Sequence, residues 1–202
     1  MLFCTGGEEM AKRKLICPKC SSDAVLTYLY GEPCLEYSPE PMKHSKYTLG
    51  GCCVKNDSPL YVCQCCGYNW GRFDGVSILP SIKSFEAYVG GFGAPNCNIK
   101  ADIRKGKLIR KYVNYNSEES IDDEIDITPK EWQILLRILK NTDFEYWANK
   151  YDDPYVCDGT QWQVEIQLES RKKIQKSGSN MFPGRWEQFC RGITKLTGVS
   201  FR

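Results

Sequence analysis

Residues 61–70 read YVCQCCGYNW and residues 15–20 read LICPKC, and together they hold two C-x-x-C pairs, Cys17–Cys20 and Cys63–Cys66. Each such pair sits on a tight turn whose backbone N–H groups point at the sulfurs. Two pairs close a tetrahedron of four thiolates around one ion. Gly67, directly after the second pair, suits the positive φ of that turn, and Pro18 stiffens the first. The expected metal ligands are therefore Cys17, Cys20, Cys63 and Cys66, holding a structural Zn2+ in a zinc ribbon. Zinc is favoured over an iron–sulfur cluster, since little else of a cluster-binding pattern surrounds these cysteines. The gap between the pairs exceeds the usual ribbon spacing, so an inserted segment must fold between them.

The chain has 12 cysteines in 202 residues, and the others need an account as well. The N-terminal MLFCTGGEEMAKRK has no apolar core and does not read as a signal peptide. A cytoplasmic, reducing location is thus expected, where paired cysteines bind metal more often than they form disulfides. Cys65 could be a ligand only by breaking the C-x-x-C spacing, so it is taken as a neighbour. Cys52 and Cys53, in LGGCCV, are the rivals for a ligand role. Cys34, Cys97, Cys157 and Cys190 read as small buried hydrophobes. His44, the single histidine, falls in the polar PMKHSKY and reads as solvent-facing. GGEE before Met10 can be encoded by a purine-rich string resembling a bacterial ribosome-binding site, which makes Met10 an alternative start to a short flexible tail over 1–14.

The knuckle stretches carry a resemblance. CPKCSSDAVLTYLYGEP together with LGGCCVKNDSPLYVCQCCGYNW resembles a group of small bacterial zinc-ribbon proteins to which no activity is attached. Their pattern runs CPxC, YGxP, LGGC and DSPxYxCxxCGYxW, covering residues 15–72 here. It implies the same four ligands, makes Cys53 the extra cysteine of the GGCC pair, and often has glycine where this chain has Ser21. Further on, DGTQWQVEIQL and SGSNMFPGRWEQF resemble motifs of other bacterial proteins without an assigned activity, over residues 128–197.

The expected organisation is a tail over 1–14, the ribbon over 15–75 and an α+β domain over 76–202. Within the ribbon, AVLTYLYG alternates as a strand, and KNDSP is turn chemistry that should join YTLGGCCV to LYVCQ as a hairpin. Beyond it, IKSFEAYVGG reads as a strand and NIKADIRKGKLIRKYVNY as a hairpin turning at Lys105–Gly106. NSEESIDDEIDI reads as an exposed acidic connection. TPKEWQILLRILKN is a helix, with Thr128 and Glu131 at capping-box spacing and Trp132, Leu135, Leu136 and Leu139 on one stripe. DFEYWANKY reads as an extension of it, a short second helix. DGTQWQVEIQLE and RKKIQKSGS pair as strands, and PGRWEQFCRGITKL closes as a helix whose N-terminus Ser179 or Asn180 would cap. The fold class is α+β, an antiparallel sheet covered on one face by two helices. Trp162, Trp186 and Phe182 read as core aromatics.

No phosphate loop or dinucleotide fingerprint is present, and no sequence feature sets His44 beside a particular thiol. No apolar run reaches the ~18 residues of a membrane-spanning helix. Binding is therefore the expected role, with protein or nucleic acid as partner and an enzyme with its site in the C-terminal domain as the alternative. The net charge of +2 is unevenly spread. If the basic stretches share one sheet face, Lys105, Lys107, Arg171, Lys172, Lys173 and Lys176 would contact an anion or nucleic acid. The alternatives are an acidic–basic contact between domains, a dimer interface, or plain solvated faces.

Overall fold

The computed structural model describes residues 14–31, 46–153, 155–156 and 158–202. Residues 1–13, Cys34, His44 and Cys157 lie outside them. The described chain is an α+β fold with two sheets, of four and seven strands, and two α-helices.

The small sheet holds β1 (Val25–Leu29), β2 (Tyr47–Leu49), β3 (Tyr61–Cys63) and β4 (Asn69–Trp70), in the order β2-β1-β3-β4. KNDS does turn, with the Ser58 N–H bonded to the Lys55 carbonyl at 3.0 Å. The strands flanking it nevertheless do not form the expected hairpin. Strand β2 runs parallel to β1, pairing Thr27 with Tyr47, while β3 lies antiparallel on the other side. A parallel pair needs a long crossover, and residues 30–46 supply the length for one.

The large sheet begins with a meander of β5 (Ile82–Gly91), β6 (Ala94–Asp102), β7 (Lys107–Asn114) and β8 (Glu119–Asp126). Strand β10 (Thr160–Leu168) returns to pair with β5. Strand β11 (Lys173–Ser179) follows β10, and β9 (Lys150–Asp152) adds a short parallel edge. The order is β8-β7-β6-β5-β10-β11-β9. The acidic run is thus an edge strand and not a connection. Alternation sets the core face: Phe85, Ala87 and Val89 on β5 meet Ile99 and Ala101 on β6 and Trp162, Val164 and Ile166 on β10.

Both helices cover that face. Helix α1 (Pro129–Asn141) starts with the expected capping box, and buries Trp132, Leu135 and Leu139. Helix α2 (Trp186–Thr197) buries Trp186, Phe189, Cys190 and Ile193. DFEYWANKY supplies a 3-10 turn at Phe144–Tyr146 and then β9, so it is only partly helical. The N-cap of α2 is Arg185, not Ser179 or Asn180, because Ser179 still belongs to β11 and Asn180 turns with φ of 56°. Trp147, Trp162, Trp186, Phe189 and Phe201 form one aromatic cluster, in which Trp162 and Trp186 stand 4.6 Å apart between centroids. Two of the indoles are satisfied within the fold: Trp147 donates to the Thr142 carbonyl and Trp162 to that of Met181, each at 2.8 Å. These are core aromatics.

Candidate metal centre

The same turn is built twice. In the first knuckle the Ser21 N–H returns to the Cys17 carbonyl at 3.0 Å, and in the second the Gly67 N–H returns to that of Cys63 at 2.9 Å. Both closing residues take the left-handed conformation, with φ of 64° at Ser21 and 67° at Gly67. Glycine adopts that geometry freely, whereas an L side chain is strained in it. A glycine in place of Ser21 therefore has a local physical reason.

The turns bring four sulfurs together. Cys17 Sγ lies 3.7 Å from Cys66 Sγ, and Cys20 Sγ lies 3.6 Å from Cys63 Sγ. All four fall within 4.8 Å of one another. A zinc tetrahedron with sulfurs at about 2.3 Å has edges of roughly 3.8 Å, so the donor set fits that ion in kind and spacing. Cys17 and Cys63 are buried, while Cys20 and Cys66 face outward.

The turns also favour thiolates. Burial alone would raise the Cys63 thiol, but the N–H groups of Cys66 and Cys65 and the thiols of Cys20 and Cys17 outweigh it and bring it to about 7. At Cys17 burial wins and the thiol is pushed up, although the N–H groups of Cys20 and Lys19 oppose it. A cation among the sulfurs would reverse that balance. Cys65 stands outside the cluster and beside Cys20, whose charge pushes its thiol up. Cys52 and Cys53 are exposed and outside the cluster too. Cys97 and Cys190 are buried in the large core.

The knuckle is tied to the larger sheet. The Pro18 carbonyl accepts from the buried Tyr151 hydroxyl at 2.8 Å and from the Gly184 N–H at 3.3 Å. Arg185 donates to the Lys14 carbonyl at 2.9 Å, and the Tyr68 hydroxyl to that of Tyr146 at 3.0 Å. Sequence reasoning missed Tyr151 and Tyr68, because no local pattern distinguishes a tyrosine that bridges distant segments from one that fills a core.

The six expected anion contacts are not gathered into one free cationic face. Lys107 pairs with Glu124 at 3.5 Å and Asp126 at 3.0 Å, and Lys173 with Glu165 at 2.8 Å. Lys105 sits in the β6–β7 turn, its N–H on Asp102. Arg171 and Lys172 form the β10–β11 turn, where Arg171 has φ of 67°. Lys176 corrects the expectation most clearly. It faces the core opposite Val164, 6% exposed, and donates to the Trp147 carbonyl at 2.6 Å and to Asn149 at 3.1 Å. Strand β8 explains the rest: Arg110 meets Asp123 and Lys111 meets Asp122, so acidic and basic runs compensate each other across one strand pair.

The DGTQW and GSN motifs lock a turn. Asn180 Oδ1 accepts from the Thr160 N–H at 2.9 Å, and its Nδ2 donates to the Asp158 carbonyl at 3.2 Å. At Gly159, φ is 130° and a Cβ would stand 2.2 Å from that same Oδ1. Their role here is architectural.

Fold and site together define a four-cysteine centre on a small sheet, hydrogen-bonded to a larger one-sided α+β sheet. No protein-family model matches the chain, and no curated protein matches it. Among the described residues no helix is long and apolar enough to cross a membrane.

Proposed function

We propose that Cys17, Cys20, Cys63 and Cys66 hold one structural zinc ion and that the protein is a cytoplasmic binding module. The carrying observation is the donor set itself: four thiols within 4.8 Å of one another. Four thiolates fill a tetrahedron and leave no position for a substrate, which is the pattern of a structural site and not of a catalytic one. When bound, the ion would supply charge that keeps the thiols deprotonated and crosslinks the two knuckles. The partner is a protein rather than a nucleic acid, because Lys107, Lys111, Lys173 and Arg110 are each compensated by a carboxylate of the same sheet. A phosphate backbone would have to displace those carboxylates.

The tests are metal content and capture. Protein purified under reducing conditions should carry about one zinc per chain. Cys63→Ser should lose it, and Cys65→Ser should keep it. Equal loss in both would overturn the ligand assignment, and a different metal in the unmutated protein would overturn zinc. Capture from the native host should retain its partner after nuclease treatment. A partner lost with nuclease would reverse the choice in favour of nucleic acid.

A further inference from the structure

A cleft of about 840 Å³ lies between α1 and the segment from Gly75 to Pro80, with Glu145 and Tyr146 also in its lining. Tyr146 is also the residue whose carbonyl receives the Tyr68 hydroxyl of the second knuckle. Small-molecule sites are concave, with apolar walls and a few converging polar groups.

The cleft's charges are unequally committed. Glu145 accepts from the Ser77 hydroxyl at 2.9 Å and from the Ile78 N–H at 2.6 Å, which pins the segment entering β5. Asp143 accepts from Arg185 at 2.9 Å. Both carboxylates therefore serve the fold. Arg137 and Lys140 line the same cleft three residues apart on α1, and neither makes an ion pair with another described residue. Three-residue spacing sets two side chains side by side on a helix. The apolar part of the lining is formed by Leu79, Pro80, Trp132 and Leu136.

We infer that this cleft binds a small organic anion: a carboxylate or phosphate gripped by Arg137 and Lys140, on an apolar body lying against Trp132 and Leu136. Guanidinium and ammonium donors form charge-assisted hydrogen bonds to such a head group. The apolar wall supplies the selectivity that an exposed cation pair lacks. The metal centre takes no part, so this site stands whether or not zinc occupies the cysteines.

The test is amide chemical-shift mapping of the full chain with phenyl phosphate as the probe, and with phenol and inorganic phosphate as its separate halves. Phenyl phosphate at millimolar concentration should shift the amides of Gln133–Lys140 and of Ser77, Ile78 and Leu79 saturably. Each half should bind at least tenfold more weakly. Replacing both cations by glutamine (R137Q, K140Q) should lower the affinity about tenfold without moving the thermal midpoint, since both side chains are exposed. No saturable shift, shifts mapping elsewhere, equal binding of either half, or unchanged affinity in the double variant would each overturn the assignment.

Discussion

Ser21 and Gly67 close equivalent turns at nearly the same positive φ, yet only one of them is glycine. The strain of a left-handed L residue is about 1–2 kcal/mol. Ser21→Gly should therefore stabilise the metal-loaded protein by about 1 kcal/mol, and Gly67→Ala should destabilise it by a similar amount. Chemical denaturation of the two variants against the unmutated chain checks the pair. Opposite signs are expected, and equal signs would break the equivalence of the turns. Lys176 offers a second measurement at this scale. Burial lowers its pKa from the ordinary 10.5 to about 8. The lowered value means that the unfolded chain binds its proton more tightly. The penalty is thus present below about pH 8 and relieved as pH rises from 8 toward 10.5. Over that window the unmutated protein should gain on the order of 3 kcal/mol relative to Lys176→Met. Taking the difference between the two proteins cancels the titration of tyrosines and thiols common to both.

At the scale of elements, α1, β5, the β6–β7 hairpin and β10 with β11 were legible because each carries its own signal, a capping box or an alternation. Strand β8 was not. Its residues ESIDDEID show an acidic run, and what makes them a strand is the basic partner β7, with Arg110, Lys111 and Lys107 facing Asp123, Asp122 and Asp126 in register. Charge alternation across a pair cannot be read from one member. The same limit hid the parallel β1–β2 pair, which depends on where a crossover returns. In amide exchange, β8 should show protection at its β7-facing amides, against the fast exchange of a solvated connection. Arg110 also donates to the Thr197 carbonyl at 2.7 Å, in the last turn of α2. Arg110→Met should accordingly speed exchange in both β8 and the end of α2. Acceleration in β8 alone would show that the helix contact carries nothing.

For the whole molecule, the hydrogen bonds from Tyr151 and Gly184 to Pro18 decide how far metal loss is felt. Thiolate binding and folding are linked, so a chelator should loosen the small sheet first. Because Tyr151 belongs to β9 and its hydroxyl also accepts from the Ala148 N–H at 2.9 Å, exchange should rise across residues 147–152 as well. Tyr151→Phe should confine the effect of the chelator to the small sheet. An apo protein whose 147–152 amides are unchanged would mean that the two sheets respond independently. The four-cysteine cluster itself was legible from spacing alone, because C-x-x-C turns are local. The docking of its knuckle was not, since Tyr151 lies 133 residues from Pro18.

That separation has a consequence for how the chain is made. At about 5–20 residues per second, the ribosome delivers Tyr151 roughly 7–27 s after Pro18. Arg185, which holds the Lys14 carbonyl, comes later still, at a separation of 171 residues. All four cysteines have been synthesised well before either partner exists. The growing chain thus passes through a period in which its thiols can capture an ion while the surface they will rest on is unmade. Metal supply during translation, more than afterwards, would then set the yield of correctly joined protein.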